Sequence, residues 1–303
     1  MNYNINTTIS QDQTLNQYIK HSIKAAERTN QLAAVYFDLY QETNEEKYLN
    51  LFNNTANCHD FAMFRHYMDQ EKTTKVKKLN RCKNPLCIFC SWVDAKKRYN
   101  ILAGAVELLK TEGYCPKHLV ITVPNCSAEE LRKQTDNLHK VIARTLRHFK
   151  VEGYYRSTEI SYNPKTDTYH PHAHILITDY IPIMDLEKVA AGAYKDLCPE
   201  YDADYIIAHI SNCNYVKELC KYITKPTDYE YKQLRELIEN ESIKGLRKYS
   251  MAGHIKQAYK RINQATQIQT AMQKTELEFF GWYDALYNLH NGKQVFKTDI
   301  IEK

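Results

Sequence analysis

The chain has 303 residues, 43% hydrophobic and 25% charged, with a net charge of +5. That is enough apolar material for one large core or two modest ones, and too little positive charge for a histone-like coat. No apolar run approaches the roughly 20 residues that span a bilayer, and no basic start is followed by a signal-like apolar segment. With nine cysteines, the expectation is a cytoplasmic protein without membrane contact whose thiols are reduced or metal-bound.

Residues 12–70 contain no Gly or Pro and read as helical. The stretch "KTTKVKKLNRCK" (72–83), with six Lys or Arg in twelve residues, interrupts them before another helix over 91–111. "HLVITV" (118–123), bounded by Pro116 and Pro124, is a short buried strand. Ser127, with Glu130 three residues on, forms a capping box for a helix running to about Phe149. Two strands, 154–162 and 169–178, are joined across "NPKTDT". Helix 184–197, strand 204–210 and helix 213–224 follow, the last stopped by Pro226. Residues 228–303 read mostly as helices and carry a second basic run, "IKGLRKYSMAGHIKQAYKRI" (243–262), with six Lys or Arg and no acid. Tyrosine is abundant, 24 against 9 Phe and 2 Trp, which either AT-rich coding bias or a base-stacking surface would produce.

The order β-α-β-β-α-β-α predicts an α+β fold built on a ferredoxin-like (RRM-like) antiparallel sheet, with helices on one face and the other face left for a site. Flanking regions make three parts: a helical N-terminal region with zinc-binding cysteines (1–115), the sheet-bearing core (116–226), and a helical C-terminal region (227–303) for DNA binding or oligomerisation.

The strand "YHPHAHILITD" (169–179) carries the chemistry. Alternation sends His170, His172 and His174 to one face and Pro171, Ala173, Ile175 and Ile177 to the other. If Tyr162 pairs with Tyr169 across the connection, Glu159 falls opposite His172. Opposed side chains are about 4.5–5.5 Å apart at Cβ, so two imidazoles and a carboxylate converge. Two histidines and one carboxylate bind a divalent ion and leave positions open for water or substrate. His172 and His174 lie deeper in the strand and are the better ligands; His170, nearer the hairpin end, is placed beside them as a supporting residue.

In "NYVKELCKYITKP" (214–226), Glu218 and Tyr222 are four apart and share a helix face, as does Tyr215. Free tyrosine, with a pKa near 10, is a weak nucleophile; beside an ion that polarises a phosphodiester it can attack phosphorus. "RCKNPLCIFC" sets Cys82, Cys87 and Cys90 as C-x4-C-x2-C, suited to tetrahedral Zn²⁺. The fourth ligand is expected from Cys58 in "NCHDF", with His59 or His66 as substitutes, and the remaining cysteines (115, 126, 198, 213, 220) are read as packing. "PLCIFC" approximates the zinc deaminase signature, but its proline is displaced by one residue and no H-x-E precedes it.

"YHPHAHILI", preceded by "GYYRSTEISYN" and followed by "YVKELCKYITKPTDY", resembles the HUH endonuclease replication initiators of rolling-circle plasmids, in the branch with one nucleophilic tyrosine plus a glutamate. "HLVITVPN", "CKNPLCIFCSW" and "LRKYSMAGHIKQAYKRIN" extend the resemblance over most of the chain. It implies Glu159, His172 and His174 as ligands of Mn²⁺ or Mg²⁺. Tyr222 would be the nucleophile, leaving a 5′-phosphotyrosine and a free 3′-hydroxyl primer, and Glu218 would position a water for the terminating cleavage. Whether Tyr215 is a second nucleophile stays open. The implied partners are origin DNA (a single-stranded nick site and adjacent duplex), host helicase and replication machinery, and a second copy of the chain. A mobilisation relaxase or single-strand transposase shares this chemistry. A DNA-binding regulator with purely structural metals, and a small-molecule metallohydrolase needing no Tyr222, are the readings from other classes.

Overall fold

The computed structural model describes residues 11–58, 61–67, 74–200, 206–212, 229–272, 275–283, 286–289 and 294–296. The chain divides into two units, one from segments 1–93, 228–234 and 266–303, the other from 94–227 and 235–265. Among the described residues no helix is long and apolar enough to cross a membrane.

In the first unit, helices α1 (Gln11–Thr43) and α2 (Glu46–Ala56) precede strands β1 (Phe61–Tyr67) and β2 (Thr74–Leu79). Leu32, Val35, Tyr36 and Leu39 recur at three- and four-residue spacing on α1 and are buried, the one-sided pattern of a core-facing helix. β1 pairs antiparallel with β2, with a bulge between Met63 and Phe64. Its other edge takes β8 (Thr275–Tyr283), which continues into β9 (Leu286–Leu289) and β10 (Gln294–Phe296) to give the order β10-β9-β8-β1-β2.

The second unit is α+β, with a five-stranded antiparallel sheet. Its elements are the end of α3 (Ile88–Thr111), then β3 (Lys117–Thr122), α4 (Leu131–His148), β4 (Tyr154–Asn163), β5 (Thr168–Ile177), α5 (Ile183–Leu197) and β6 (Ala208–Asn212). Part of α6 (Tyr231–Glu239), β7 (Tyr249–Ala252) and most of α7 (Gly253–Met272) complete it. The strand order is β6-β3-β5-β4-β7. Alternation sorts each strand: Leu119 and Ile121 of β3 and Ala173, Ile175 and Ile177 of β5 pack against Leu138, Val141 and Ile142 of α4 and Leu186, Ala190 and Tyr194 of α5. The reverse face carries Tyr155 and Leu176, which α3 covers with Leu102, Ala105, Val106 and Leu109, and α7 with Ile255 and Ala258. The turn from β7 into α7 requires Gly253: its φ is +57°, and a Cβ there would meet the Glu152 carbonyl.

The sheet face expected to be free of helices is therefore covered at one end. The spacing 102, 105, 106, 109 gives α3 an apolar stripe that needs a surface, and the Tyr155–Leu176 end supplies it. Residues 61–67, expected to be helical, form a strand, as do parts of 228–303. "FAMFRHY" and "TELEFFGWY" are rich in aromatic residues that favour sheets, and each finds its partner in the other, about two hundred positions away. Ser127 Oγ accepts from Glu130 N (3.3 Å) as a capping box would, but it closes a turn and the helix begins at Leu131. Of the cysteines read as packing, Cys126 and Cys198 are buried, whereas Cys115 is exposed.

Candidate metal centres

The β4–β5 hairpin pairs Tyr162 with Tyr169 and Glu159 with His172, without a bulge. β3 lies on the other side of β5, with Val120 opposite His174 and Thr122 opposite His172. Three strands thus build one patch on the sheet face away from α4 and α5. Glu159 Oε2 sits 3.5 Å from His172 Nε2 and 3.6 Å from His174 Nε2. One ligand atom from each of the three residues lies within 4.8 Å of the others. The side chains are only 9–15% exposed. Two imidazole nitrogens and a carboxylate oxygen at this spacing are within reach of one divalent ion with bonds of about 2.1 Å. The donor set suits ions that accept both nitrogen and oxygen.

Each histidine has a hydrogen-bond partner on its other nitrogen. His172 Nδ1 lies 3.3 Å from the His170 carbonyl oxygen. His174 Nδ1 lies 3.0 Å from His118 Nε2, the two rings stacked at 5.2 Å and 21°. Burial, then the neighbouring His174 and His209, pushes His118 down to about 4. His170 is not in the converging trio. Cys126 and Tyr169 exchange backbone hydrogen bonds (3.0 and 2.8 Å), holding the loop after β3 so that Asn125 Oδ1 meets His170 Nδ1 at 2.6 Å. Burial also lowers the His170 pKa. On the β7 side, Lys248 gives its carbonyl to Thr158 N (2.8 Å); burial pushes its ammonium down while the Glu159 carboxylate pulls it up. Tyr249, opposite Ser157, has the Arg98 guanidinium 4.1 Å from its ring centre.

The second centre lies in the first unit. Cys58 at the end of α2 meets Cys82, Cys87 and Cys90, with sulfur separations of 3.7 Å (Cys58–Cys87), 3.6 Å (Cys58–Cys90) and 3.6 Å (Cys82–Cys90). A disulfide would bring sulfurs to about 2.05 Å. Four thiolates around one ion at about 2.3 Å would be about 3.8 Å apart along each tetrahedral edge, close to what is seen. The loop is shaped for it: Lys83 takes φ +57°, and Asn84 accepts from Leu86 N at its side chain (2.9 Å) and from Cys87 N at its carbonyl (3.1 Å). Arg81 Nη2 donates to the Cys90 carbonyl (3.1 Å). Hydrogen bonds from Cys58, Cys82 and Cys87 hold the Cys90 thiol down, while those from Cys82, Cys87 and Cys90, then burial, drive the Cys58 thiol up. The thiolate, not the thiol, is the form that ligates a cation.

Tyr215, Glu218 and Tyr222 lie outside the described residues, as does His59; the side chain of His66 is likewise not described. Sequence reasoning did not single out His118 or Asn125. Same-face alternation in "HLVITV" marks His118 only once β3 is known to lie beside β5.

A protein-family model described as "Replication protein" matches residues 73–178, a span holding Cys82, Cys87, Cys90, Glu159, His172 and His174 and ending before Glu218. The chain is similar to "Protein rep" of Staphylococcus aureus, 34% identical over 125 residues, covering 40% of this chain and 54% of that one. To "Protein rep" of a Bacillus species it is 26% identical, over 56% of this chain and 65% of the other. To that of Bacillus amyloliquefaciens it is 25% identical over 232 residues, 66% of this chain and 68% of the other. The chain spans about half to two thirds of the length of these relatives. No solved structure matches it significantly. The hairpin that gathers Glu159, His172 and His174 lies inside the matched segment, so the part of the chain that carries this patch is the part similar to replication proteins.

Proposed function

We propose that the chain initiates rolling-circle plasmid replication as a metal-dependent, site-specific single-strand nickase and strand-transferase of the HUH type. The observation that supports this best is the convergence of Glu159, His172 and His174 on one half-covered sheet face, within the segment similar to replication proteins. Bound by these three residues, Mn²⁺ or Mg²⁺ supplies Lewis-acid polarisation of the scissile phosphodiester; imidazole ligands favour Mn²⁺ at equal concentration.

In this reading the Tyr222 hydroxyl attacks phosphorus. The Tyr222 Oη–P bond forms as the P–O3′ bond breaks, the tyrosine gives up its proton and the leaving 3′-oxygen gains one. The 5′ end stays on the protein and the 3′-hydroxyl is free to prime. Glu218, four residues before Tyr222, takes a proton from the water whose oxygen bonds to the phosphorus of the phosphotyrosine as the P–Oη bond to Tyr222 breaks, the tyrosine oxygen regaining a proton. His170, tied to Asn125, supports the ligand strand at the hairpin end. Cys58, Cys82, Cys87 and Cys90 hold a structural Zn²⁺, thiolates being its preferred ligands.

The strand order β6-β3-β5-β4, with α4 and α5 on one face, supports reading 116–226 as a ferredoxin-like (RRM-like) endonuclease core. Residues 1–115 are then the zinc-bearing region, and 227–303 serves DNA binding or oligomerisation. The partners in this reading are origin DNA and the host helicase and replication machinery, in the cytoplasm.

The test uses single-stranded oligonucleotides from candidate origin hairpins, with Mn²⁺ or with EDTA. A denaturant-resistant protein–DNA adduct is expected with Mn²⁺ only, and Glu159→Ala should reduce its yield at least about 100-fold, since one of the three ligands is lost. No adduct on any such DNA, from protein that retains zinc but binds no Mn²⁺, would replace this reading with that of a non-catalytic regulator. Glu218→Ala is expected to nick once and then release slowly, so its adducts should outlive those of the wild type in a chase with unlabelled DNA. Equal adduct lifetimes would remove Glu218 from the terminating step.

A further inference from the structure

We infer that His118 is a positioning residue that fixes the tautomer of His174 and thereby sets the ion affinity of the histidine–glutamate centre; this rests on the ion-binding reading given above. β3 and β5 are paired so that Val120 faces His174 and His118 faces Leu176. His118 is thus the diagonal same-face neighbour of His174, a position from which a long side chain reaches across. It does so with Nε2 3.0 Å from His174 Nδ1, a hydrogen-bond separation.

A neutral imidazole has one N–H donor and one lone pair. The nitrogen of His174 that turns to Glu159 is Nε2, at 3.6 Å, and a cation there needs the Nε2 lone pair. The proton of His174 must then sit on Nδ1 and be donated to His118 Nε2, which puts the proton of His118 on its own Nδ1. Loss of His118 removes this acceptor, and with it a bias against the tautomer preferred by a free imidazole, with the proton on Nε2 and the lone pair turned away from Glu159. His172 is held differently: its Nδ1 is 3.3 Å from the His170 main-chain carbonyl, a partner that no side-chain substitution removes. Among the described residues, His174 is the ligand histidine whose outer nitrogen meets a side chain, one 56 positions away. Outer partners of this kind are worth roughly 10–100-fold in ion affinity.

The experiment uses the full chain and Mn²⁺ alone, titrated by calorimetry or by the loss of the free-ion electron paramagnetic resonance signal. Histidine ¹⁵N spectra of the metal-free protein are recorded in parallel. His118→Phe is expected to weaken Mn²⁺ binding roughly 10–100-fold and to move the His174 proton toward Nε2, with the thermal midpoint unchanged. His118→Gln, whose amide reaches the place of Nε2, should recover most of the affinity. His118→Asn is polar but too short to reach, so it should behave as His118→Phe and gives the same comparison if the phenylalanine variant does not fold. Wild-type affinity in both short or apolar variants, while Glu159→Ala loses Mn²⁺, would overturn the role of His118 and leave the ion site standing. So would a glutamine variant as weak as the phenylalanine one. Absence of Mn²⁺ binding by the wild-type chain would sink the ion site itself and this inference with it.

Discussion

Tyr222→Phe is expected to abolish nicking, by at least about 10⁴-fold, while origin-DNA affinity stays within about twofold. The substitution removes one oxygen and keeps the ring, so stacking and shape survive while the attacking atom is gone. Loss of a nucleophile leaves only the positioning contributions of the site, which is why the expected effect is so large. The readout is a denaturing gel for the covalent adduct beside a filter-binding curve on the same oligonucleotide. Residual nicking near the wild-type rate would shift the assignment to Tyr215, seven residues earlier on the same predicted helix face. A Tyr215→Phe, Tyr222→Phe double variant then separates the two: silence only in the double variant means that each tyrosine can attack.

The second large effect belongs to the cysteine centre. Cys58, Cys87 and Cys90 are at most 2% exposed and come together from the end of α2, the loop before α3 and the first turn of α3. Structural zinc contributes roughly 10–16 kcal/mol of apparent binding free energy, as much as the whole stability of an ordinary domain. Removing it is expected to unfold the first unit outright. EDTA strips both centres, so Cys87→Ser is the cleaner probe, because its target is in the first unit and distant in sequence from the histidine strand. The expected result is one zinc per chain in the wild type by elemental analysis, less than a tenth of that in the variant, and loss of one thermal transition by circular dichroism. An unchanged melting profile in Cys87→Ser, or protein purified with no zinc, would reduce the cluster to four packed thiols.

The histidine–glutamate patch could be read from sequence because its logic is local. Two-residue alternation sorts His170, His172 and His174 from Ala173 and Ile175, and a short connection fixes the register of the hairpin. The pairing of Glu159 with His172 expected from "YYRSTEISYNPKTDTYHPHAH" is the one observed. The cysteine block was legible for the same reason over residues 82–90, since ligand spacing in a tight turn is a short-range property. Cys58 was one choice among three, and only its meeting with Cys87 and Cys90 across 29 and 32 positions singles it out from the cysteines and histidines nearby. The helical expectation failed over 61–67 and beyond 274 for the converse reason. A strand is decided by its partner, and the partners β1 and β8 are remote in the chain, so the absence of Gly and Pro was a poor substitute for knowing them.

The sequence by itself determined the chemistry available: three histidines and a glutamate on a hairpin, four cysteines able to hold an ion, and an α+β order of elements. Periodicity and turn length reach only a few residues, and these features lie within that range. The tertiary structure alone decided that α3 and α7 close over one end of the histidine face, that β3 lies against β5, and that His118 therefore meets His174. Those contacts join segments tens to more than a hundred positions apart, where the register of one strand against another and the burial of an apolar stripe set the outcome, and no local pattern encodes which distant surface will be met.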